Sequence, residues 1–197
     1  MGENVADRLE ARLAVAATGL VLILGYVVFR VIARRDYERC GRLKAATVIL
    51  EFIMFAAHAN LSYIFLPAAW PELPRLPDNP FQLVVGLGLL AVGISLTLWA
   101  MAGLGFKHAC GQPPDTLHIA GFYRWSRNPQ LVFYALALLG FLVLWPAPFG
   151  VIWLLVYAAF SHWMVTSEEE HLTSVYGVEY QRYCEEVNRY LPRLFSR

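Results

Sequence analysis

Charge is what this sequence has least of. Only 16% of its 197 residues are Asp, Glu, Lys or Arg, where an average soluble domain carries about 25%. With 58% hydrophobic residues and a mean hydropathy of +0.47, the chain is too apolar for an ordinary soluble domain. Its net charge is +1. No basic block large enough to line a groove exists, which argues against nucleic acid as a partner. Cysteine is scarce too. Cys40, Cys110 and Cys184 are widely spaced, with neither a disulfide framework nor metal-ligand spacing. His108, His118, His162 and His171 fit no compact ligand set, so no metal is expected. A basic leader is also missing. Glu3, Asp7 and Glu10 stand where a signal peptide would be positive, and no small-residue cleavage site follows, so the first apolar run is expected to stay as a span. Internal repeats and low-complexity segments are absent.

What the chain has is long apolar runs. Residues 13–32 form the first, long enough to cross a ~30 Å hydrocarbon core. Residues 30–44 follow as a loop that sets Arg30, Arg34, Arg35, Arg39, Arg42 and Lys44 against Asp36 and Glu38, which reads as cytoplasmic. Residues 45–66 are the second span. They contain Glu51, whose expected partner is Lys44 or Arg42, and His58 and Asn60, expected to make structural hydrogen bonds. Residues 67–80 hold a run of prolines and read as a stiff external loop. Residues 81–102 are the third span, with Gly86, Gly88 and Gly93 predicting tight packing. The pair Gly103 and Gly105 lacks the third glycine and the preceding strand of a dinucleotide fingerprint.

Residues 131–144 and 149–165 are two shorter apolar segments joined by Trp145, Pro146, Ala147 and Pro148. The tight link predicts an antiparallel hairpin packed on itself. Residues 167–190 are charged and amphipathic, with Leu172, Val175, Tyr176, Tyr180 and Tyr183 expected on one face and a bend at Gly177. The expected fold is an all-α integral membrane protein. It has about five transmembrane helices, the last two as a hairpin, plus a cytosolic amphipathic C-terminal helix. The N-terminus is expected outside, with the C-terminus and the active site cytosolic. Residues 1–102 make a three-span region and residues 103–197 a cofactor-binding region, within one integrated domain.

Two polar stretches flank the hairpin and meet at its open end. The first is Gly121, Phe122, Tyr123, Arg124, Trp125, Ser126, Arg127, Asn128 and Pro129; the second is Glu168, Glu169 and Glu170. Without the motif, Arg124 and Arg127 would read as positive-inside anchors. Trp125, Tyr134, Trp145 and Trp163 read as interfacial belt residues.

In Leu117, Gly121, Tyr123, Arg127, Asn128 and Pro129, and then in Glu168, Glu169, Leu172, Tyr176, Gly177, Tyr180, Tyr183 and Pro192, the sequence resembles the isoprenylcysteine carboxyl methyltransferase family and the related small phospholipid methyltransferases. Phe106, Lys107 and His108 look like the family's segment ahead of the first motif. The resemblance implies an S-adenosylmethionine-dependent methyltransferase acting on a lipophilic acceptor, either a lipid or an isoprenylcysteine-like carboxylate, in contact with membrane lipid. It also implies cofactor contacts at Asp115, Thr116, Leu117, His118, Tyr123, Arg127, Asn128, Pro129, Gln130, Leu131, Glu168 and Glu169. A protonated amine acceptor would need a base, for which Glu169 and His108 are the candidates.

Two positions depart from the family pattern. Leu131 stands where the family has Tyr. Met164 stands near the place of the arginine that faces a substrate carboxylate, and no arginine occurs in residues 149–167. The second departure counts against a carboxylate acceptor and leaves the cofactor half of the resemblance intact. The competing readings are an NADPH-dependent membrane reductase of the sterol-reductase type and a non-enzymatic membrane scaffold.

Overall fold

The computed structural model describes residues 5–105, 117 and 119–191. Among the described residues there is helix and no strand. Helix α1 (Val5–Tyr26) runs through a π-helical turn (Val27–Ile32) into α2 (Ala33–Cys40). Then come α3 (Ala45–Leu61), α4 (Pro80–Leu104), α5 (Pro129–Leu144), α6 (Pro148–Tyr176) and α7 (Val178–Glu186).

Local chemistry sets these boundaries. Pro80, Pro129 and Pro148 each open a helix at its first turn, where a missing N–H costs nothing. The Asn79 side chain caps α4 by accepting from Phe81 N and Gln82 N at 3.0 and 3.3 Å. Gly41, at φ +66°, ends α2 in the left-handed conformation that glycine adopts without penalty. Asp36 then ties α2 to the start of α3. Its Oδ2 accepts from Lys44 N at 3.1 Å and from Thr47 Oγ1 at 2.5 Å.

Among the described residues, four stretches are long and apolar enough to cross a membrane: Leu9–Cys40, Ala45–Ile64, Pro80–Leu104 and Pro148–Tyr176. The fifth expected span, α5, has 16 residues. At ~1.5 Å per residue it is about 24 Å long, less than a ~30 Å hydrocarbon core. Helix α6 has 29 residues. Its first twenty or so cover that core, which brings Glu168 and Glu169 out at the membrane boundary.

The structure corrects three expectations. Residues 30–44 were expected as a loop, but helix continues as far as Cys40. The extra residue per π turn rotates Arg30 towards α6. There its guanidinium donates to Ser167 Oγ and Glu170 Oε1, each at 2.9 Å, so the charge no longer breaks the span. The last two apolar helices do form a hairpin, but α5 packs chiefly along α4 rather than α6. The reason is a seam of small residues. A Cβ on Gly93 would stand 2.5 Å from Ala137 N, and one on Gly140 would stand 2.5 Å from Leu90 N. No side chain fits between backbones that close. Finally, Val175 is 49% exposed and leaves the face on which Leu172 and Tyr176 pack against Tyr180 and Tyr183.

The main core lies between α1, α3 and α6. Phe29 and Phe160 are fully buried there, with Trp153, Tyr157, Met54 and Leu138 around them. Towards the proline-rich end the core closes on His58. Its Nε2 lies 2.9 Å from Trp153 O, Trp153 Nε1 donates to His58 O at 2.7 Å, and the two rings stack at 4.9 Å. Asn60 bonds Ala56 O and Trp70 Nε1. Both residues thus take the structural hydrogen bonds expected of them.

Candidate functional site

The site is assembled at the basic end, where the turn before α5 meets the end of α6. Residues Gly121–Arg124 form a 3₁₀ turn that buries Tyr123. Extended backbone after α7 holds this stretch in place. Arg127 N donates to Asn188 O at 3.0 Å, Asn128 Nδ2 to Arg189 O at 3.1 Å, and Tyr183 OH to Tyr123 O at 2.6 Å. Ser126 Oγ also donates to Arg189 O, at 3.4 Å. Tyr180, Tyr183 and Val187 are buried beneath, with Leu117 packed against them. The tail is therefore a strap across the motif stretch rather than a free surface helix.

Glu168 and Glu169, adjacent on α6, have opposite surroundings. Glu169 sits between two guanidinium groups. Arg127 Nη1 reaches Oε1 at 3.0 Å, Arg189 Nη2 reaches Oε2 at 2.5 Å, and Arg189 Nε donates to Oε1 at 3.2 Å. Arg127 also donates to Cys184 Sγ. The hydrogen bond to Glu169 is the main cause that lifts the Arg189 pKa further. Glu169 is fully engaged, a poor condition for a proton acceptor. Glu168 is half-buried and has no hydrogen bond or ion pair among the described residues. It lies within electrostatic reach of Tyr123, Tyr37 and Glu51.

Glu51 is the residue that sequence reasoning placed wrongly. Its expected partner Lys44 pairs instead with Asp36 at 3.3 Å. Glu51 has no ion pair among the described residues and stands close enough to Glu168 for the two carboxylates to repel. Position 51 is nearly two turns into α3, too deep for the loop cations. That offset was the available signal. Arg189 was also missed, and nothing in the periodicity of the tail marks it.

The other expected contacts divide clearly. Tyr123 OH donates to Gln130 Oε1 at 3.0 Å. Burial, with the Glu168 carboxylate adding, pushes the Tyr123 phenol well up, so it stays neutral and acts as a donor. Asn128 spends its amide on Arg189 O, and Pro129 is buried at the first turn of α5. Leu131 is buried and its carbonyl accepts from Tyr157 OH at 2.7 Å. Asp115, Thr116, His118 and His108 lie outside the described residues. Met164 packs against the Phe29–Phe160 core and His162 is exposed, so neither supplies a cation to the site.

A cavity of about 470 Å³ opens beside Tyr123, lined by Trp99, Ala100, Gly103, Phe122 and Trp125 among others. Trp99 and Trp125 are 68% and 66% exposed, as aromatic residues at a membrane boundary are.

Residues 81–179 match the family model described as phospholipid methyltransferase. The chain belongs to the phospholipid methyltransferase family. No curated protein and no solved structure matches it. Membership makes the chain a membrane methyltransferase, and the family uses S-adenosylmethionine generally.

The described residues fit that donor chemically. S-adenosylmethionine carries a sulfonium, an ammonium and one carboxylate. Among the described residues, Glu168 and Glu51 are carboxylates with no ion-pair partner, and Arg127 Nε and Tyr190 OH are buried polar atoms without a hydrogen-bond partner, both suited to an anionic oxygen.

Proposed function

We propose that this protein transfers the methyl group of S-adenosylmethionine to the amine of a membrane lipid. The observation that carries the reading is a pair of carboxylates without a cation among the described residues: Glu168, beside Tyr123 at the membrane boundary, and Glu51, near it on α3. Buried charges are normally paired. Two that are not make a site hungry for positive charge, which the donor and an aminolipid both bring.

When bound, S-adenosylmethionine supplies an electrophilic methyl carbon, and its sulfur keeps the electron pair of the broken bond. Glu168 is the residue proposed to hold its positive groups. Arg127 Nε and Tyr190 OH are proposed to hold its carboxylate. Tyr123, fixed through Gln130 and through Tyr183, closes the site against water. Leu117, Asn128, Pro129 and Leu131 position the motif stretch. Glu169 holds Arg127 and Arg189 in register rather than taking a proton. The acceptor ammonium gives its proton to Glu51 or Glu168. With the donor bound, the freed amine would be placed in line with the methyl carbon, and that placement would supply most of the rate.

The cavity at Trp99, Phe122 and Trp125 supports entry of the acceptor from the bilayer. Met164, standing where the family has its arginine, packs into the apolar core, which supports an amine over a carboxylate acceptor. The basic residues of α2 share one end of the bundle with Glu170, through Arg30 and Arg34, which supports a cytosolic site and C-terminus. The chain then works as one domain, with the second span supplying Glu51 and the third lining the cavity.

The test is methyl transfer by the purified protein in liposomes, using donor with a labelled methyl group. Label is expected in an aminophospholipid and not in a prenylated cysteine carboxylate. Label confined to the carboxylate acceptor would overturn the amine assignment. No transfer to either would overturn the function.

A further inference from the structure

A second cavity, of about 360 Å³, opens at the basic end between the α1–α2 rod and α3. It shares no lining residue with the methyl-transfer site. Val31, Arg35 and Arg39 lie on it four residues apart, so they form one stripe along the rod. Ala46, Thr47 and Leu50 face them from α3. The apolar residues Val31, Ile32 and Leu50 lie deeper in the spans, and the cations lie at their ends.

The two arginines of the stripe are not used internally among the described residues. Arg34, their neighbour, pairs with Glu38 at 2.9 Å and with Glu170 at 3.3 Å. Arg35 and Arg39 are exposed and make no hydrogen bond or ion pair among the described residues. Asp36 also lines the cavity, but both its oxygens are taken by Lys44 and Thr47. Arg35, Arg39 and Lys44 less Asp36 leave the lining at a net charge of plus two.

We propose that this cavity binds the phosphate of an anionic phospholipid, with its acyl chains along Val31, Ile32 and Leu50. Guanidinium groups recognise phosphate oxygens in paired hydrogen bonds, and basic pockets between spans suit lipid phosphates. A free phosphate would leave the apolar half of the cavity without a partner. The site is a lipid anchor beside the reaction rather than a subsite of it.

The experiment is native mass spectrometry of the full chain in detergent, titrated with phosphatidylglycerol or phosphatidylcholine of matched chains. Wild type is expected to retain the anionic lipid on the order of tenfold more tightly. The Arg35→Ala/Arg39→Ala double variant should bind both lipids equally. The Arg35→Lys/Arg39→Lys variant should keep part of the preference. Both arginines are exposed and unpaired, so thermal unfolding should not change in either variant. Equal retention by wild type, or an undiminished preference in the double alanine variant, overturns the proposal. Displacement of the lipid by millimolar inorganic phosphate assigns the site to free phosphate and overturns the lipid. No arm reads methyl transfer, so this proposal and the proposed function fail separately.

Discussion

The two ends of the helix bundle treat their polar groups differently. At the proline-rich end the buried polar groups are largely consumed internally, and the charges without an ion pair among the described residues, Glu72, Arg75 and Asp78, are exposed. His58 and Trp153 bond each other twice, Gln82 Nε2 donates to Val143 O and Leu144 O, and Trp145 Nε1 donates to Arg75 O. His58 Nδ1 is the exception. At the basic end polar capacity is left over. Among the described residues Glu168 and Glu51 lack cations, Arg127 Nε and Tyr190 OH lack partners, and Arg35 and Arg39 are exposed without an ion pair. In an apolar medium a satisfied polar group locks helices together, whereas an unsatisfied one costs stability. One end is built to close the bundle, and the other to receive ligands.

Glu168 and Glu169 give the same contrast within two adjacent residues. Glu169→Ala should have the largest effect on stability. It leaves Arg127, whose side chain is 11% exposed, without its carboxylate. Breaking such a pair costs about 3–5 kcal/mol. The expected outcome is a lowered thermal midpoint and early proteolysis of the tail after α7. Unchanged proteolysis would mean that the strap holds without this ion pair.

Gly140→Leu comes next. It forces α4 and α5 apart where no room exists, at about 1–3 kcal/mol. Thermal unfolding in detergent should fall, and methyl transfer should fall with it, because α5 carries the motif stretch at its start. Trp153→Phe tests the closed end. It removes one buried hydrogen bond and should cost about 1 kcal/mol. Methyl-transfer activity should stay at the wild-type level, and a loss of activity at constant stability would break the division between the two ends. The smallest effect is expected from Tyr123→Phe, which keeps the buried ring and removes the bond to Gln130. Its signature should be weaker donor binding by severalfold, measured by calorimetry, with the midpoint unchanged within about 1 kcal/mol.

The fold was legible where local chemistry punctuates apolar runs. Asn79 and Pro80 mark the start of α4, and the expected 81–102 is close to Pro80–Leu104. Pro148 and Gly177 similarly bracket α6. The sequence was least legible where a helix carries charge for a tertiary reason. Residues 33–40 read as a loop, because nothing local shows that Glu170 and Ser167 wait on α6 for Arg30 and Arg34. The glycines of α4 announced close packing, but not that the partner was Gly140 rather than α6.

The candidate site was half legible. The motif spacing brought Tyr123, Gln130 and Glu168 to attention, and these residues lie at one end of the bundle. The pairing of Glu169 with Arg189 was hidden, because Arg189 reaches it through extended backbone that carries no periodic signal. Glu51 was hidden because a carboxylate near a basic loop reads as a surface partner until its depth in α3 is known.

The central claim is that Glu168 is kept free for the donor while Glu169 serves the fold. Titration calorimetry of S-adenosylmethionine into detergent-solubilised Glu168→Gln, beside wild type, tests it most directly. The expected result is measurable binding to wild type, a loss of at least ~10-fold in the variant, and a thermal midpoint no lower than wild type, since among the described residues Glu168 has no partner to lose and the variant removes an uncompensated carboxylate. Wild-type affinity in Glu168→Gln would contradict the account.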